Sequence, residues 1–439
     1  MGGRVVTRRL LLALAVVAAG AVLGGCGAAD EAAVPTTASC PASGPTCVRV
    51  GVGQPIYLGE LLNLTTESGI DVQQSLRLSV DYLDGVFDGA PGQLLGHDVE
   101  VLSQEDQCSA AGGRTGALRL LQEPSLVAVV GTTCSTAALG AADAVLAEAN
   151  VLMVSASNTA PSLTDPKQRR RTYFRVSPND ALQASAVADF AYVREGWRSA
   201  VTVHAAGDVY SQQLASAFGS SLNALGGQQL ADLKVGADAP AAAAAREIAA
   251  LGPDMVLISA FSPECEQTAA AIRAVPALSS LPIVVSEACQ TTEFLQVLGA
   301  DAKGVYASSP DFTYLEENAF YRDGFLPSYR RQTGGDPIGV YHAHAFDAFA
   351  VIADAIRRTA VIEPGGVLVI DREALRRALL EVRGYQGLSG RLTCGSTGDC
   401  AEGARIAIYR APAWPVAEGA GAKPVFRSQK TLAQFNLGG

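Results

Sequence analysis

Leu126-Val127-Ala128-Val129-Val130-Gly131-Thr132-Thr133-Cys134-Ser135-Thr136 changes character at Gly131. The apolar, largely β-branched run before it reads as a strand buried on both faces, as the strands of parallel sheets are. Hydroxyl-bearing residues follow at once, and the alanine-rich segment 137–148 then reads as a helix. The pattern recurs downstream. Residues 151–154 form an apolar strand, and Ser155-Ala156-Ser157-Asn158-Thr159-Ala160-Pro161 follows it. A buried strand that ends in small polar residues and passes into a helix is the repeating unit of an α/β sheet.

Outward from this stretch the alternation continues. Upstream, 48–52 reads as a strand, 72–83 as a helix, 98–102 as a strand, and 116–122 as part of a helix. After Arg175 the pattern restarts. Asp180 is placed to cap a helix running to Glu195, followed by a strand at 200–204 and a helix at 212–225. Helices at 241–251, 266–274 and 293–298 alternate with strands at 255–259, 283–285 and 305–307. The last third differs, with long helices expected at 316–333 and 341–358 and a shorter one at 371–380. A glycine-rich tail follows, with strand-like pieces such as Ile406-Ala407-Ile408-Tyr409. The fold class is therefore α/β, with two Rossmann-like parallel-sheet lobes whose chain crosses between them more than once. Lobe 1 is expected over 48–175 with a return at 308–390. Lobe 2 is expected over 176–307, with a return and the C-terminal tail at 391–439. No sequence repeat relates the two.

The N-terminus gives the address. Arg4, Arg8 and Arg9 precede an apolar run at 10–22, and Leu23-Gly24-Gly25-Cys26 follows. A basic start, a short apolar run and small residues read as a secretory signal over 1–25, rather than a membrane span. The cysteine at the cut site resembles the lipobox of bacterial lipoproteins, which implies that Cys26 is acylated and begins the mature chain. Residues 26–47, rich in Ala, Pro, Thr and Ser, then read as a tether. The expected location is outside the cell membrane, held to its outer face by lipid. Of nine cysteines, removal of Cys26 leaves an even number suited to disulfides in an oxidising compartment.

Composition excludes several classes. Thirty-three Lys and Arg stand against 43 Asp and Glu, a net charge of −10, and no basic patch with interleaved aromatics appears, so nucleic acid is not an expected partner. The body after Cys26, roughly 410 residues, exceeds a typical single core. His342 and His344, two apart, point to different sides of a helix and make no metal pair. Gly387-Leu388-Ser389-Gly390 does not match a nucleophile elbow. The Gly51 and Gly53 pair lacks the third glycine of a dinucleotide fingerprint, and no Walker-type lysine loop occurs. Neither enzyme nor cofactor is expected.

Ligands of open α/β sheets sit beyond the carboxyl ends of the strands. Three first-lobe loops are candidates: 131–136, 155–161, and Gly53-Gln54-Pro55-Ile56-Tyr57. They offer hydroxyls, amides and a helix N-terminus near Ser135, which suit an anion. The second lobe offers Tyr210 in Gly207-Asp208-Val209-Tyr210, Phe261 after 255–259, and Glu287 after 283–285. A carboxylate at a strand end facing a cleft suits an ammonium. The competing reading makes Ser135 and Thr159 helix caps only, and Glu287 a solvated loop acid.

These residues together resemble the leucine/isoleucine/valine-binding proteins. The features are Cys108, then Val130-Gly131-Thr132-Thr133-Cys134-Ser135-Thr136, then Met153-Val154-Ser155 and Thr159-Ala160-Pro161-Ser162-Leu163-Thr164. Tyr173-Phe174-Arg175 followed by Asn179-Asp180, and Tyr341 with Phe346-Asp347-Ala348, fit the same family. The resemblance spans nearly all of the chain from Val48. It implies a periplasmic binding protein type I fold with a multi-strand hinge, and a solute-binding subunit that delivers a small amino acid to the permease of an ABC transporter.

The resemblance also implies roles. Ser135 and Thr159 would hold the ligand carboxylate. The backbone carbonyl of Ser157 and the carboxylate of Glu287 would hold its ammonium. Tyr57, Tyr210 and Phe261 would flank its side chain. Phe261 lacks the hydroxyl of an expected tyrosine, and Asn158 stands where relatives often have a small apolar residue. The same fold also serves amides, urea-like solutes, aromatic acids and ligand-sensing receptors. A Cys108–Cys134 disulfide follows from the resemblance. Cys265 with Cys289, Cys394 with Cys400, and Cys40 with Cys47 are paired by proximity alone, among the many pairings eight cysteines allow.

Overall fold

The computed structural model describes residues 40, 46–168, 170–401, 405–414 and 422–432. The expected leader 1–25 and Cys26 lie outside them. The first sheet is entirely parallel, in the order β3 (Val99–Glu105), β2 (Ile56–Leu62), β4 (Leu126–Gly131), β5 (Leu152–Ser155), β6 (Tyr173–Arg175). Every residue of central β4 is buried, because helices cover both faces of the sheet and leave no wet side for polar residues. One core lies on each face, around Val130, Val154 and Ile352 on one and Val129, Met153 and Leu163 on the other.

The second sheet runs β17 (Phe426–Gln429), β16 (Arg405–Arg410), β11 (Val305–Pro310), β10 (Ile283–Val285), β9 (Met255–Ser259), β7 (Ser199–Ala205), β8 (Gln228–Val235). It is parallel from β11 to β8, and β16 and β17 add antiparallel strands at one edge. The two sheets are the α/β lobes expected from the alternation.

The chain passes between the lobes after β6, after β11, and again before β16. The first and third passages are bound to each other. The buried Arg175 guanidinium donates to Asp399 Oδ2 from Nε at 3.0 Å and from Nη2 at 2.7 Å, and its Nη1 donates to the Ala160 carbonyl at 2.9 Å. Backbone bonds Arg175 N to Gly398 O and Cys400 N to Arg175 O, each 2.9 Å, flank the pair. A fully buried guanidinium is tolerable only when its donors find acceptors in this way.

Several expectations change. The strand expected at 48–52 is β1 (Cys47–Val50), but it joins neither large sheet. It pairs antiparallel with β13 (Leu368–Asp371), which also pairs with β12 (Val361–Ile362). The first-sheet strand is instead β2, whose apolar run is interrupted by Gly59 and by Glu60, a buried carboxylate bonded to Gln73. β8 was not foreseen, because its mixed polar sequence suits a partly exposed edge.

The expected long helix at 316–333 is broken. Asn318 Oδ1 accepts from the N–H groups of Phe320 and Tyr321 at 2.9 and 3.3 Å, starting a new helical segment. Asn179, not Asp180, caps the helix Asp180–Asp189, through a 2.9 Å bond from Ala181 N. β14 (Tyr385–Gln386) and β15 (Arg391–Leu392) form a hairpin. Leu392, Cys394 and Cys400 still pack in the first lobe's core, so the return to the second lobe comes later than the expected 391, while the strand-like 406–409 lies within β16. Four disulfides are formed: Cys40–Cys47, Cys108–Cys134, Cys265–Cys289 and Cys394–Cys400.

Candidate functional site

A cleft cavity of about 310 Å³ lies where the carboxyl ends of the two sheets meet. The first lobe builds its wall from the loops after β2 and β4. At Gly131 the backbone takes φ +148°, and a Cβ there would collide with the Leu61 carbonyl of neighbouring β2. Glycine thus lets β4 leave the sheet in close contact with β2 and turn Thr133 to Ser135 toward the cleft. The Asp106 carboxylate fixes this turn, accepting from Thr133 N and Cys108 N, each at 2.7 Å. Burial pushes its carboxyl up to about 6, against those bonds. The Cys108–Cys134 disulfide, with Cα atoms 5.0 Å apart, ties the same loop to the segment after β3.

Ser135 lines the cleft at the first position of the helix Ser135–Ala141. Its Oγ accepts from Ala160 N at 3.3 Å, which leaves the O–H free to donate. Ser157 lines it too, with Oγ donating to the Thr133 carbonyl at 2.9 Å. The second lobe contributes Tyr210, Phe261, Glu287 and Gln290. The rings of Tyr210 and Phe261 lie 5.3 Å apart and form an apolar wall.

Glu287 is buried, 4 % exposed. Its Oε1 accepts from the Tyr341 hydroxyl at 3.2 Å, and its Oε2 accepts from Gln183 Nε2. Burial raises its carboxyl above the usual range, opposed mainly by the Gln183 bond. Asp180, also fully buried, is raised well above its ordinary value, first by burial and then by the negative charge of Glu287. The site therefore holds two buried acids that act on each other, and Asp180 Oδ1 has no hydrogen-bond partner among the described residues. Among the described residues Gln290 carries two buried amide atoms without partners. Such groups are costly unless something else bonds them.

Five of the seven residues singled out from the sequence thus meet at the cleft: Ser135, Ser157, Tyr210, Phe261 and Glu287. Two do not. Thr159 is buried behind it and donates its hydroxyl to Asp180 Oδ2 at 2.9 Å, so that oxygen is not turned to a ligand. Tyr57 lies near the amino end of β2, in register with Glu100 and Leu126, at the opposite end of the strand from the cleft. That misplacement follows from taking 48–52 as the sheet strand. The loop that does follow the first-sheet strand supplies Thr65, Thr66 and Glu67. Tyr341, Gln183 and Asp180 were missed as parts of the acid site. Their signal was weak: each lies on or beside a helix whose surroundings only the fold brings to β10. Glu67, Glu287 and Glu293 line the cavity, and no Lys or Arg does among the described residues. The site can therefore neutralise a cation with charge but an anion only with hydroxyls, amides and backbone N–H groups.

Residues 55–407 match the family model described as periplasmic binding protein. The chain is 25% identical over 334 residues to the Leu/Ile/Val-binding protein BraC3 of Rhizobium johnstonii, covering 75% of this chain and 84% of that one. In architecture it is similar to the branched-chain amino acid transporter substrate-binding protein LivJ of Streptococcus pneumoniae, solved with isoleucine. The TM-score is 0.69 at 19% identity, covering 86% of this chain and all of that one. It is also similar to an ABC transporter solute-binding protein of R. palustris solved with benzoate, with a TM-score of 0.69 at 17% identity, covering 86% and 97%.

Proposed function

Because the chain belongs to the periplasmic binding protein family, we propose that it captures a small zwitterionic amino acid, branched-chain or related, by closing two lobes around it. It then presents the ligand to the permease of an ABC importer. The observation that carries this reading is the division of labour across the cleft. The buried Glu287 carboxylate, held by Tyr341 and Gln183, faces a wall of hydroxyls at Thr133, Ser135 and Ser157. An ammonium at Glu287 would neutralise a charge that burial otherwise disfavours, and a carboxylate would accept from Ser135 and the first N–H groups of its helix. Because the partners are shared between lobes, only a bound ligand gains both sets of contacts, so ligand favours closure. Tyr210 and Phe261 leave an apolar pocket for an aliphatic side chain. A ligand with a carboxylate but no amine would leave the acid side uncompensated, which argues against an aromatic acid.

The anchor belongs to the same proposal. Cys26 is acylated after removal of 1–25, and the segment to residue 47 tethers the body to the outer face of the membrane. Mass spectrometry of the N-terminal peptide from membrane-extracted protein tests it; an unmodified Cys26 would refute it. Importing rather than sensing is the favoured role, and catalysis is not part of it. A thermal-shift screen across amino acids, amides and aromatic acids tests the ligand class. Stabilisation by leucine, isoleucine or valine is expected, and stabilisation by aromatic acids alone would overturn the reading.

A further inference from the structure

A second cavity, of about 630 Å³, lies at the passages between the lobes, on the other side of Val340 from the cleft described above. All three passages contribute: Val176 and Pro178 from the first, Pro310 to Phe312 from the second, and Ala401 from the third. Leu315, Val340, Ala343 and Leu392 beside Phe312 give it an apolar part, and Gln386, Ser389 and Gln429 add polar side chains. Among the described residues its charge is not balanced. Arg391 comes from the hairpin attached to the first lobe and Arg405 from the second sheet. Neither makes an ion pair among the described residues, and the Arg405 guanidinium sits over the Tyr314 ring at 5.0 Å. The lining acid, Asp311, is already engaged by Thr313 Oγ1 at 2.7 Å and by Arg427 at 3.3 Å. His344 also lines the cavity, 6 % exposed, and its Nδ1 has no hydrogen-bond partner among the described residues. Burial drives that imidazole down to about 3, so at neutral pH it is uncharged and offers one donor and one acceptor.

We propose that this hinge cavity is a second binding site, taking a small organic anion with an apolar body, and that its occupancy changes the affinity of the cleft. Two guanidiniums that make no ion pair among the described residues, beside the apolar and partly aromatic part of the lining, match a carboxylate carried on a ring or short alkyl group. The coupling follows from the wall between the cavities. Val340 lines both. Tyr341 faces the cleft and bonds Glu287, while the neighbouring Ala343 and His344 face the hinge cavity. The rings of Tyr341 and His344 are 5.4 Å apart, edge to face. An occupant of the hinge cavity touches both lobes and all three passages, so it stabilises one relative arrangement of the lobes over others, and by linkage the effect on the cleft is reciprocal.

Calorimetric titration of the purified protein with phenylacetate, and with the uncharged 2-phenylethanol, tests the site. Saturable binding of phenylacetate at low millimolar concentration or better is expected, with 2-phenylethanol weaker by about tenfold. The exposed pair Arg391→Ala and Arg405→Ala, combined, should weaken phenylacetate by a similar factor while leaving the melting temperature unchanged. Glu287→Gln, which alters the cleft, should leave phenylacetate binding as it was. Leucine affinity should shift by about threefold or more when phenylacetate is saturating. Failure of leucine to bind would count against the cleft reading and not against the hinge site, whose phenylacetate titration is read directly; the coupling is then read with the solute that the thermal-shift screen identifies for the cleft. Absence of saturable phenylacetate binding, or its full retention in the double arginine variant, overturns the site. An unchanged leucine affinity at saturating phenylacetate overturns the coupling.

Discussion

Replacing Glu287 by glutamine keeps the shape of the cleft and removes its buried charge. The variant amide can turn its oxygen to Gln183 Nε2 and its NH2 to the Tyr341 hydroxyl, the two groups that now hold the carboxylate. Two effects of opposite sign should follow. In the empty protein, Glu287 is raised by burial and adds to the unfavourable field at Asp180. Removing it relieves that field, so the empty variant should melt no lower than the wild type at neutral pH, and higher if the pair dominates. In the complex, the ligand ammonium loses its counter-charge in a desolvated site, which costs on the order of 3 kcal/mol, about a hundredfold in affinity. A bound cation also favours the ionised carboxylate. Wild-type affinity should therefore rise with pH through the raised range of the two acids and then level off, with protons released on binding, and the variant should show a flatter profile. Isothermal calorimetry with leucine across pH, alongside scanning calorimetry of the empty proteins, measures both effects. Unchanged leucine affinity in Glu287→Gln would refute the reasoning. So would an affinity loss that merely tracks a loss of stability.

Ser135→Ala removes one hydroxyl donor while the N–H groups of its helix remain, so leucine affinity should fall by about tenfold, or roughly 1–2 kcal/mol, in the same calorimetric assay. Cys108→Ser opens a loop of sequence separation 26 that braces the cleft turn. Chemical denaturation should show a loss of about 3.5 kcal/mol. Asp347 is buried and accepts from Leu388 N and Ser389 N at 2.7 Å each, yet burial lifts its carboxyl from the ordinary 3.8 to about 6. A folded value above the unfolded one means stability that is full below the unfolded value and lost as pH rises through the folded one. Compared with Asp347→Asn, the wild type should therefore gain about 3 kcal/mol on going from above pH 6 to below pH 4, read from denaturant midpoints at each pH.

The architecture was legible because parallel strands buried on both faces leave unbroken apolar runs. Leu126 to Val130, Met255 to Ser259 and Ile283 to Val285 became β4, β9 and β10 with nearly those limits. Where a strand departs from that pattern, the reading failed. β2 carries Gly59 and the buried Glu60, whose partner Gln73 is thirteen residues away. β1, with an ordinary β-branched sequence, was taken in its place, and with it Tyr57 was put at the wrong end of the sheet. Residues just past strand ends, Ser135, Ser157 and Glu287, were found because the topology fixes that edge. Asp180 and Thr159 were read as a cap and a ligand hydroxyl. In fact they bond each other behind the cleft, an arrangement set by the chain turning back after β6 and not by any local pattern. Tyr341 reaches Glu287 only because the helix His342–Thr359 returns to the first lobe and ends its approach at the cleft.

The central claim is that the cleft recognises a zwitterion, with Glu287 for the ammonium and the Ser135 side for the carboxylate. Calorimetry of the purified protein with leucine, 4-methylpentanoate and 3-methylbutylamine tests it most directly, since the three share a branched apolar end and differ in the charged groups. The account predicts binding by leucine, with both single-charge analogues weaker by about a hundredfold or more. Binding of 4-methylpentanoate as tight as that of leucine would contradict it.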